Sequence, residues 1–140
     1  MKRYRSIVNG ICLEIYRDES KECNKLAVYL FGFPGSAGKT EPVERLVSSG
    51  YTVIQPHYRG SYDSSGEFSP ASSIELLAEI QEIVSTGDLV EVKKQQVICI
   101  PKNISLVLGH SYGCFAALKG CSVLTDIEKV VLLGPVLCFD

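Results

Sequence analysis

The stretch that decides the fold is ISLVLGHSYGCFAAL, residues 104–118. Its first part is almost continuously apolar, as a strand buried on both faces of a sheet requires, and its last part has apolar residues at helical spacing. Between the two parts lies a G-x-S-x-G pattern in which Gly109 and Gly113 flank Ser111. The pattern predicts a strand, a sharp turn and a helix, with Ser111 at the apex in a strained backbone.

Two further segments fall in loops that follow predicted strands. They are FGFPGS at residues 31–36 and YRGSYDSSG at residues 58–66. Together with the G-x-S-x-G pattern, these segments make residues 26–135 resemble the α/β-hydrolase family. The alternative is a glycine-rich turn that exposes a serine without any chemistry, because the five-residue pattern also occurs by chance.

The resemblance to the α/β hydrolases implies a role for several residues. It implies that Ser111 is the catalytic nucleophile and that the backbone N–H groups of Phe33 and Tyr112 form the oxyanion hole. It also implies that Arg59 is structural and holds its own loop by a salt bridge and hydrogen bonds. One departure is clear, because Phe31 stands where the family's loop carries a histidine.

The base and the acid of a catalytic triad are missing from the pattern. In the family the serine is followed along the chain by the acid and then by the histidine, but no histidine follows Ser111 here. We expect His110 to point away from Ser111 as a packing residue, and the family's position that matches His57 is structural. Of the two aspartates after Ser111, we expect Asp126 to be a solvated loop residue and Asp140 to be a chain-end residue.

Strands and helices alternate along the chain after an antiparallel opening, in which Asn9-Gly10 is suited to a type I′ turn. This alternation, with short connections, specifies right-handed crossovers and a mostly parallel sheet. The predicted fold class is therefore α/β, a mostly parallel sheet with helices on both faces, preceded by an antiparallel hairpin and truncated after the strand that follows the G-x-S-x-G turn. Predicted strands cover 3–8, 11–17, 26–31, 51–55, 104–108 and 129–134, helices begin near Thr40 and Ser69 and after Ser111, and a small hairpin is predicted within 89–101.

Composition limits the class of protein. A chain of 140 residues with a net charge of −2 is expected to form a single domain, residues 1–140, and has no basic run that would indicate nucleic acid. No apolar stretch predicts a membrane span or a signal peptide, so we expect a cytoplasmic protein without membrane contact.

Of the six cysteines, all but Cys23 lie in apolar segments and are predicted to be reduced core thiols. The two histidines lack metal-ligand spacing, so neither a metal nor another cofactor is expected.

Two hypotheses about function remain open. The first is the amino-terminal half of a serine hydrolase, which carries out acyl transfer on a small-molecule or peptide substrate, whether peptide, amide or ester, with acid and histidine supplied from outside this chain. The second is a non-catalytic interaction protein on a truncated hydrolase scaffold. Under both hypotheses, the apolar strand at 129–134 is predicted to need a further polypeptide segment beside it, because an edge strand has unpaired backbone groups. We expect a complementing chain that carries the rest of the sheet, or else a second copy of this chain.

Overall fold

A computed structural model describes residues 1–32, 35 and 37–135. The strands are β1 (Lys2–Val8), β2 (Ile11–Arg17), β3 (Lys25–Leu30), β4 (Tyr51–Pro56), β5 (Asp88–Val90), β6 (Val97–Cys99), β7 (Ile104–His110) and β8 (Lys129–Leu133). The helices are α1 (Glu41–Ser48), α2 (Pro70–Val84) and α3 (Tyr112–Gly120), and a 3₁₀ turn follows at Cys121–Val123.

The main sheet has six strands in the order β1-β2-β4-β3-β7-β8. Strands β4, β3, β7 and β8 run parallel, whereas β1, β2 and β4 pair in an antiparallel manner. The crossover from β3 through α1 to β4 runs across the sheet in the opposite direction from the crossover through α3 to β8. Right-handed connections therefore place α1 and α3 on opposite faces. The predicted α/β class and its antiparallel opening are confirmed.

Local signals account for the ends of several elements. Asn9 and Gly10 both have positive φ, 50° and 76°, as a type I′ turn between β1 and β2 requires. Helix α2 begins with Ser69 as N-cap, whose side chain accepts a hydrogen bond from the backbone N–H of Ser72, and with Pro70 in the first turn. Thr40 is the N-cap of α1 in position, but its side chain makes no capping hydrogen bond.

The cysteines do not all lie in the core. Cys12 and Cys114 are buried, whereas Cys23 and Cys121 are partly buried and Cys99 is exposed. The prediction of a core thiol is therefore wrong for Cys99, because β6 belongs to a separate two-stranded ribbon with β5 and not to the main sheet. The sixth cysteine, at position 138, lies outside the described residues.

Strand β8 forms one edge of the main sheet. Val130 and Leu133 are 36% and 39% exposed, and Val131 and Leu132 are only half-buried. The sequence of β8 resembles that of a central strand, but within the described residues it pairs with β7 alone. Among those same residues, no helix has both the length and the apolar character that crossing a membrane requires.

Candidate active site

Ser111 lies at the point where β7 ends and α3 begins. Its backbone has φ 53° and ψ −113°, a combination that costs an ordinary residue about 1–3 kcal/mol. Two hydrogen bonds hold this conformation: the Ser111 N–H donates to the carbonyl oxygen of Leu133 at 2.9 Å, and the Cys114 N–H donates to the carbonyl oxygen of Ser111 at 3.0 Å. The predicted strand, sharp turn and helix are thus present, with the serine in a strained backbone.

The two glycines of the pattern stand where backbone segments touch. A Cβ atom on Gly109 would lie 2.5 Å from the carbonyl oxygen of Gly113 and 2.7 Å from the amide nitrogen of Cys114. A Cβ atom on Gly113 would overlap the carbonyl oxygen of Leu30 in β3. Because these neighbours are backbone atoms, they cannot move aside as a flexible side chain could. The sharp turn at Ser111 therefore depends on both glycines.

A cavity of about 590 Å³ opens in front of Ser111 at the carboxyl ends of the parallel strands. This is the edge of an α/β sheet at which ligands bind. Among the described residues, four segments line the cavity: the end of β3 with its loop, the start of α1, the turn at Ser111 and the end of β8. The lining residues are Tyr29, Phe31, Gly32, Gly35, Thr40, Glu41, Pro42, His110, Ser111, Leu133 and Gly134.

The prediction that His110 packs away from Ser111 is wrong. It is exposed and lines the same cavity. A Cβ atom on Gly32 would lie 3.3 Å from Ser111 Cβ and 3.7 Å from His110 Nδ1, so both side chains flank the same glycine. The prediction treated His110 as a packing residue, but its side chain is exposed in the described part of the chain. His110 and Glu41 supply the only imidazole and the only carboxylate among the described lining residues.

The other candidate acids and bases lie away from the cavity. His57 is 2% exposed and is not among the described lining residues. Asp126 is exposed and precedes the amino end of β8, whereas Ser111 follows the carboxyl end of the parallel strand β7. Five residues of strand span roughly 17 Å, so Asp126 is at the wrong end of the sheet to orient a base. Asp140 lies outside the described residues.

Of the two predicted oxyanion-hole residues, only Tyr112 is described. It is the first residue of α3, its side chain is buried, and its hydroxyl donates to Ser73 Oγ at 2.8 Å. Burial raises the pKa of the Tyr112 phenol above its usual value, partly offset by that contact with Ser73. Phe33 lies outside the described residues.

Phe31 shows what replaces the histidine found in related loops. Its ring is buried and packs against Tyr58 with 5.0 Å between the ring centroids. The Tyr58 hydroxyl donates to the carbonyl oxygen of Phe31 at 2.6 Å. Tyr58 is itself completely buried, which raises the pKa of its phenol well above the usual value and keeps the hydroxyl a donor. The end of β3 is therefore held by an aromatic pair and one buried hydrogen bond.

Arg59 connects its loop to two other parts of the fold. One guanidinium nitrogen, Nη1, donates to the carbonyl oxygen of Asn9 at 2.9 Å, and Nη2 donates to Glu79 Oε2 at 2.6 Å. The first contact joins the loop to the turn between β1 and β2, and the second joins it to α2. Both contacts hold the loop in place, and neither reaches the cavity in front of Ser111.

The sequence analysis missed a buried carboxylate, Glu14. It is completely buried in β2, where Oε1 accepts from Arg5 Nε and Oε2 accepts from Arg3 Nε, both at 2.9 Å. Burial alone would raise the pKa of Glu14, but the adjacent His57 imidazole and the two arginines outweigh it and hold the pKa well below its usual range. The signal was the register across the Asn9-Gly10 turn, which pairs Arg5 with Glu14.

The structure also brings together three possible metal ligands that are far apart in sequence. Ligand atoms of Cys12, His57 and Asp63 lie within 4.8 Å of one another. These groups are already engaged, because His57 Nδ1 accepts from the Asp63 N–H and the Asp63 carboxylate pairs with Arg5. Burial, partly opposed by Arg5, also raises the pKa of the Cys12 thiol to about 11, which disfavours the thiolate that binds metals.

Comparison with solved structures places this geometry in a known fold. The structure of DcsB in complex with its substrate analogue matches 99% of this chain at a TM-score of 0.72 and 18% identity. An α/β-hydrolase enzyme from the sediment metagenome of the Mar Chica lagoon, Morocco, matches 95% at a TM-score of 0.63 and 16% identity. The thioesterase domain from the curacin biosynthetic pathway matches 96% at a TM-score of 0.60 and 21% identity.

The chain has the α/β-hydrolase fold and spans about half the length of the structures it matches, since it covers 46%, 52% and 46% of these three chains. No family model matches the sequence, and no curated protein is similar to it at a significant level. At these identities the likeness establishes the scaffold of a hydrolase, and the chemistry has to be argued from the residues of this chain.

Proposed function

We propose that this chain contributes the nucleophile and the oxyanion hole of a serine hydrolase that acts on a peptide, amide or ester substrate. Ser111 Oγ adds to the carbonyl carbon of the substrate while its proton passes to an imidazole base, and the amine or alcohol leaves with that proton. Water then releases the acyl group from Ser111 by the same steps. The backbone N–H groups of Phe33 and Tyr112 stabilise the negative oxygen that forms in both steps.

The observation that carries this proposal is the strained backbone of Ser111, with φ 53° and ψ −113°, at the mouth of the cavity. Strain of this kind persists only where the surrounding structure enforces it, and it is concentrated at functional sites. Here three features enforce it: the close contact at Gly109, the close contact at Gly113 and the hydrogen bond to Leu133. A turn that merely connected a strand to a helix would not need them.

The acid and the histidine base come from a complementing polypeptide that extends the sheet beyond β8. Two observations favour this partner. Strand β8 exposes Val130 and Leu133 at the sheet edge, and after Lys129 it has no charge or proline that would prevent strand pairing. Leu133 and Gly134 also line the cavity, so a strand added to β8 enters next to Ser111.

Labelling by a fluorophosphonate tests whether Ser111 is the nucleophile. We expect the 140-residue chain to label slowly and to turn over an ester poorly, because a serine without a base remains protonated. Ser111→Ala should abolish the labelling. The matched control is Ser122→Ala, which removes an exposed hydroxyl from the 3₁₀ turn after α3 and should leave the labelling rate unchanged.

The other outcomes are equally informative. If Ser111→Ala labels as fast as the wild type, Ser111 is not the nucleophile, and the non-catalytic interaction protein becomes the better hypothesis. If the wild type labels rapidly and Ser111→Ala does not, a base exists within these residues. His110 would then be the first residue to replace, because its imidazole lines the cavity.

A further inference from the structure

We propose that His57 is a positioning residue, which uses its Nδ1 atom to fix the loop at residues 57–65 against the end of β3 beside Ser111. The imidazole is 2% exposed and is absent from the described lining of the cavity, so it acts through other residues. Its effect on catalysis rests on the function proposed above. Its effect on the position of the loop does not, and the two can be measured separately.

One side-chain hydrogen bond of His57 defines its tautomer. The backbone N–H of Asp63 donates to His57 Nδ1 at 3.2 Å, so Nδ1 must carry a lone pair and not a proton. The proton of the neutral ring is therefore on Nε2, which faces Glu14 Oε1 at 3.4 Å. That distance is long for a hydrogen bond, but the negative carboxylate favours the tautomer with an N–H on its side.

Charged groups from three segments surround this pair and hold it in place. Arg3 and Arg5 in β1 donate to Glu14, and Arg5 Nη1 also pairs with Asp63 Oδ2 at 2.8 Å. Arg5 thus attaches the Asp63 carboxylate to the antiparallel opening, while the Asp63 backbone N–H is bound by His57, which lies beside Glu14 of β2. The arrangement assigns β1 and β2 a role beyond extending the sheet, because they carry the groups that orient the imidazole.

The loop reaches the end of β3 through aromatic contacts. Tyr62 has a positive φ of 48°. Its ring packs edge-on against His57 with 5.7 Å between the centroids, and lies tilted against Phe31 with 6.1 Å between the centroids. A tyrosine keeps such a backbone only if its neighbours impose it. His57 Nδ1 accepts a hydrogen bond from the backbone N–H of the next residue, Asp63. Losing that acceptor releases the strained turn at Tyr62.

The end of β3 in turn borders Ser111. Tyr58, in the same loop, donates to the Phe31 carbonyl at 2.6 Å. The next residue, Gly32, is so close to the turn that a Cβ atom there would lie 3.3 Å from Ser111 Cβ. A displacement of the loop is therefore expected to move Phe31 and Gly32, which line the cavity. Misplacing reacting groups by about 1 Å can slow a reaction by roughly a hundredfold.

Two replacements of His57 distinguish the contact made by Nδ1 from the contact made by Nε2. In His57→Asn, the side-chain oxygen can take the place of Nδ1 and accept from the Asp63 N–H. In His57→Gln, the terminal amide can take the place of Nε2 beside Glu14, and the acceptor for Asp63 is lost. Both variants are neutral, so they differ mainly in which of the two contacts they keep.

Hydrogen exchange followed by NMR, together with fluorophosphonate labelling of Ser111, provides the measurement. We expect His57→Asn to keep the wild-type exchange rates at Asp63 and Gly32. We expect His57→Gln to speed exchange at Asp63 by about tenfold, as the loss of one partly buried hydrogen bond predicts, and to slow labelling in parallel. The amide of Ile80 in α2 serves as the internal reference for global unfolding.

Equal exchange at Asp63 in both variants, whether slow or fast, would overturn the proposal, because the role would then be packing of a ring and not acceptance at Nδ1. A difference at Asp63 without any difference at Gly32 would also overturn it, since the loop would not reach the cavity. If Ser111 is not labelled even in the wild type, the proposed function fails, while exchange at Gly32 still decides the role of His57.

Discussion

The two edges of the main sheet differ in their charge and in their exposed apolar side chains. At the β1 edge, Arg3 and Arg5 surround the buried carboxylate of Glu14, and the outer strand carries charges that discourage further pairing. At the β8 edge, Val130 and Leu133 are exposed and the strand carries no such protection beyond its first residue. The first edge is protected by charge, whereas the second, within the described residues, exposes apolar side chains of the kind found on an interior strand.

The difference continues into the parts of the sheet behind each edge. Behind β1, the fold is held by polar contacts that converge on Glu14 and His57, and these contacts define the loop at 57–65. Behind β8, it is held by close backbone packing at Gly109 and Gly113. Electrostatic contacts and close packing respond to different perturbations, so the comparison can be tested with substitutions in each part.

The largest effect is expected for Gly109→Val, on the side that depends on close packing. The new side chain would begin 2.5 Å from the Gly113 carbonyl oxygen and 2.7 Å from the Cys114 amide nitrogen. We expect the free energy of unfolding to fall by at least about 3 kcal/mol, or the chain not to fold, because neither backbone atom can move without displacing α3. Urea denaturation followed by circular dichroism measures the change.

The control for this substitution is Gly38→Ala, since a Cβ atom at Gly38 would meet no atom within 4 Å. It should leave the denaturation midpoint close to that of the wild type. A Gly109→Val chain with the wild-type midpoint would show that the turn at Ser111 is not held by backbone contact.

An intermediate effect is expected for Glu14→Gln, on the side that depends on charge. The pKa of Glu14 is lower in the folded protein than its ordinary value of 4.5, so the carboxylate stabilises the fold above that pH and the contribution is lost as the pH falls. We expect the variant to lose about 1–3 kcal/mol of unfolding free energy at pH 7. We also expect the unfolding free energy of the variant to decline less than that of the wild type between pH 5 and pH 2. This is roughly the range over which a carboxyl group with a lowered pKa titrates.

Thermal unfolding at a series of pH values provides this measurement. Glu22→Gln, which removes an exposed carboxylate in the turn before β3, is the matched control and should follow the wild type. If Glu14→Gln and the wild type lost stability in parallel as the pH fell, the buried carboxylate would not be the group that couples the fold to pH.

The smallest effect on stability, but a clear effect on association, is expected at the two edges themselves. We expect the 140-residue chain to self-associate at micromolar concentration through β8. Val130→Lys should suppress this association while changing the unfolding free energy by less than about 0.5 kcal/mol, because a charge on an exposed edge strand opposes pairing. Ile7→Lys, in the β1 edge and 50% exposed, should leave association unchanged. Sedimentation velocity distinguishes these outcomes.

A monomeric wild type with freely exchanging amides in Lys129–Leu133 would contradict the open edge. So would Ile7→Lys and Val130→Lys having the same effect, because the two edges would then be equivalent. A discrete dimer that Val130→Lys dissociates would identify a second copy of this chain as the cover for β8, in place of a complementing polypeptide.

Features with a local cause were predictable from the sequence alone. The turn at Asn9-Gly10 needs two residues that tolerate positive φ, the start of α2 needs Ser69 and Pro70, and the turn at Ser111 needs a glycine on each side. Each of these is encoded within a few residues, and the alternation of strands and helices then implies the parallel sheet. The strained Ser111 and the α/β class follow from such signals.

Only the tertiary structure decided which distant groups meet. Glu14 lies in β2 and His57 directly follows β4, which pairs with β2, and their contact with the Asp63 loop depends on register and burial, which no short pattern encodes. The same holds for His110, which lines the cavity because no described element covers it, and for Cys99, which is exposed because its strand leaves the main sheet. Local backbone preferences determine where elements begin and end, whereas burial and electrostatics depend on neighbours that only the folded chain supplies.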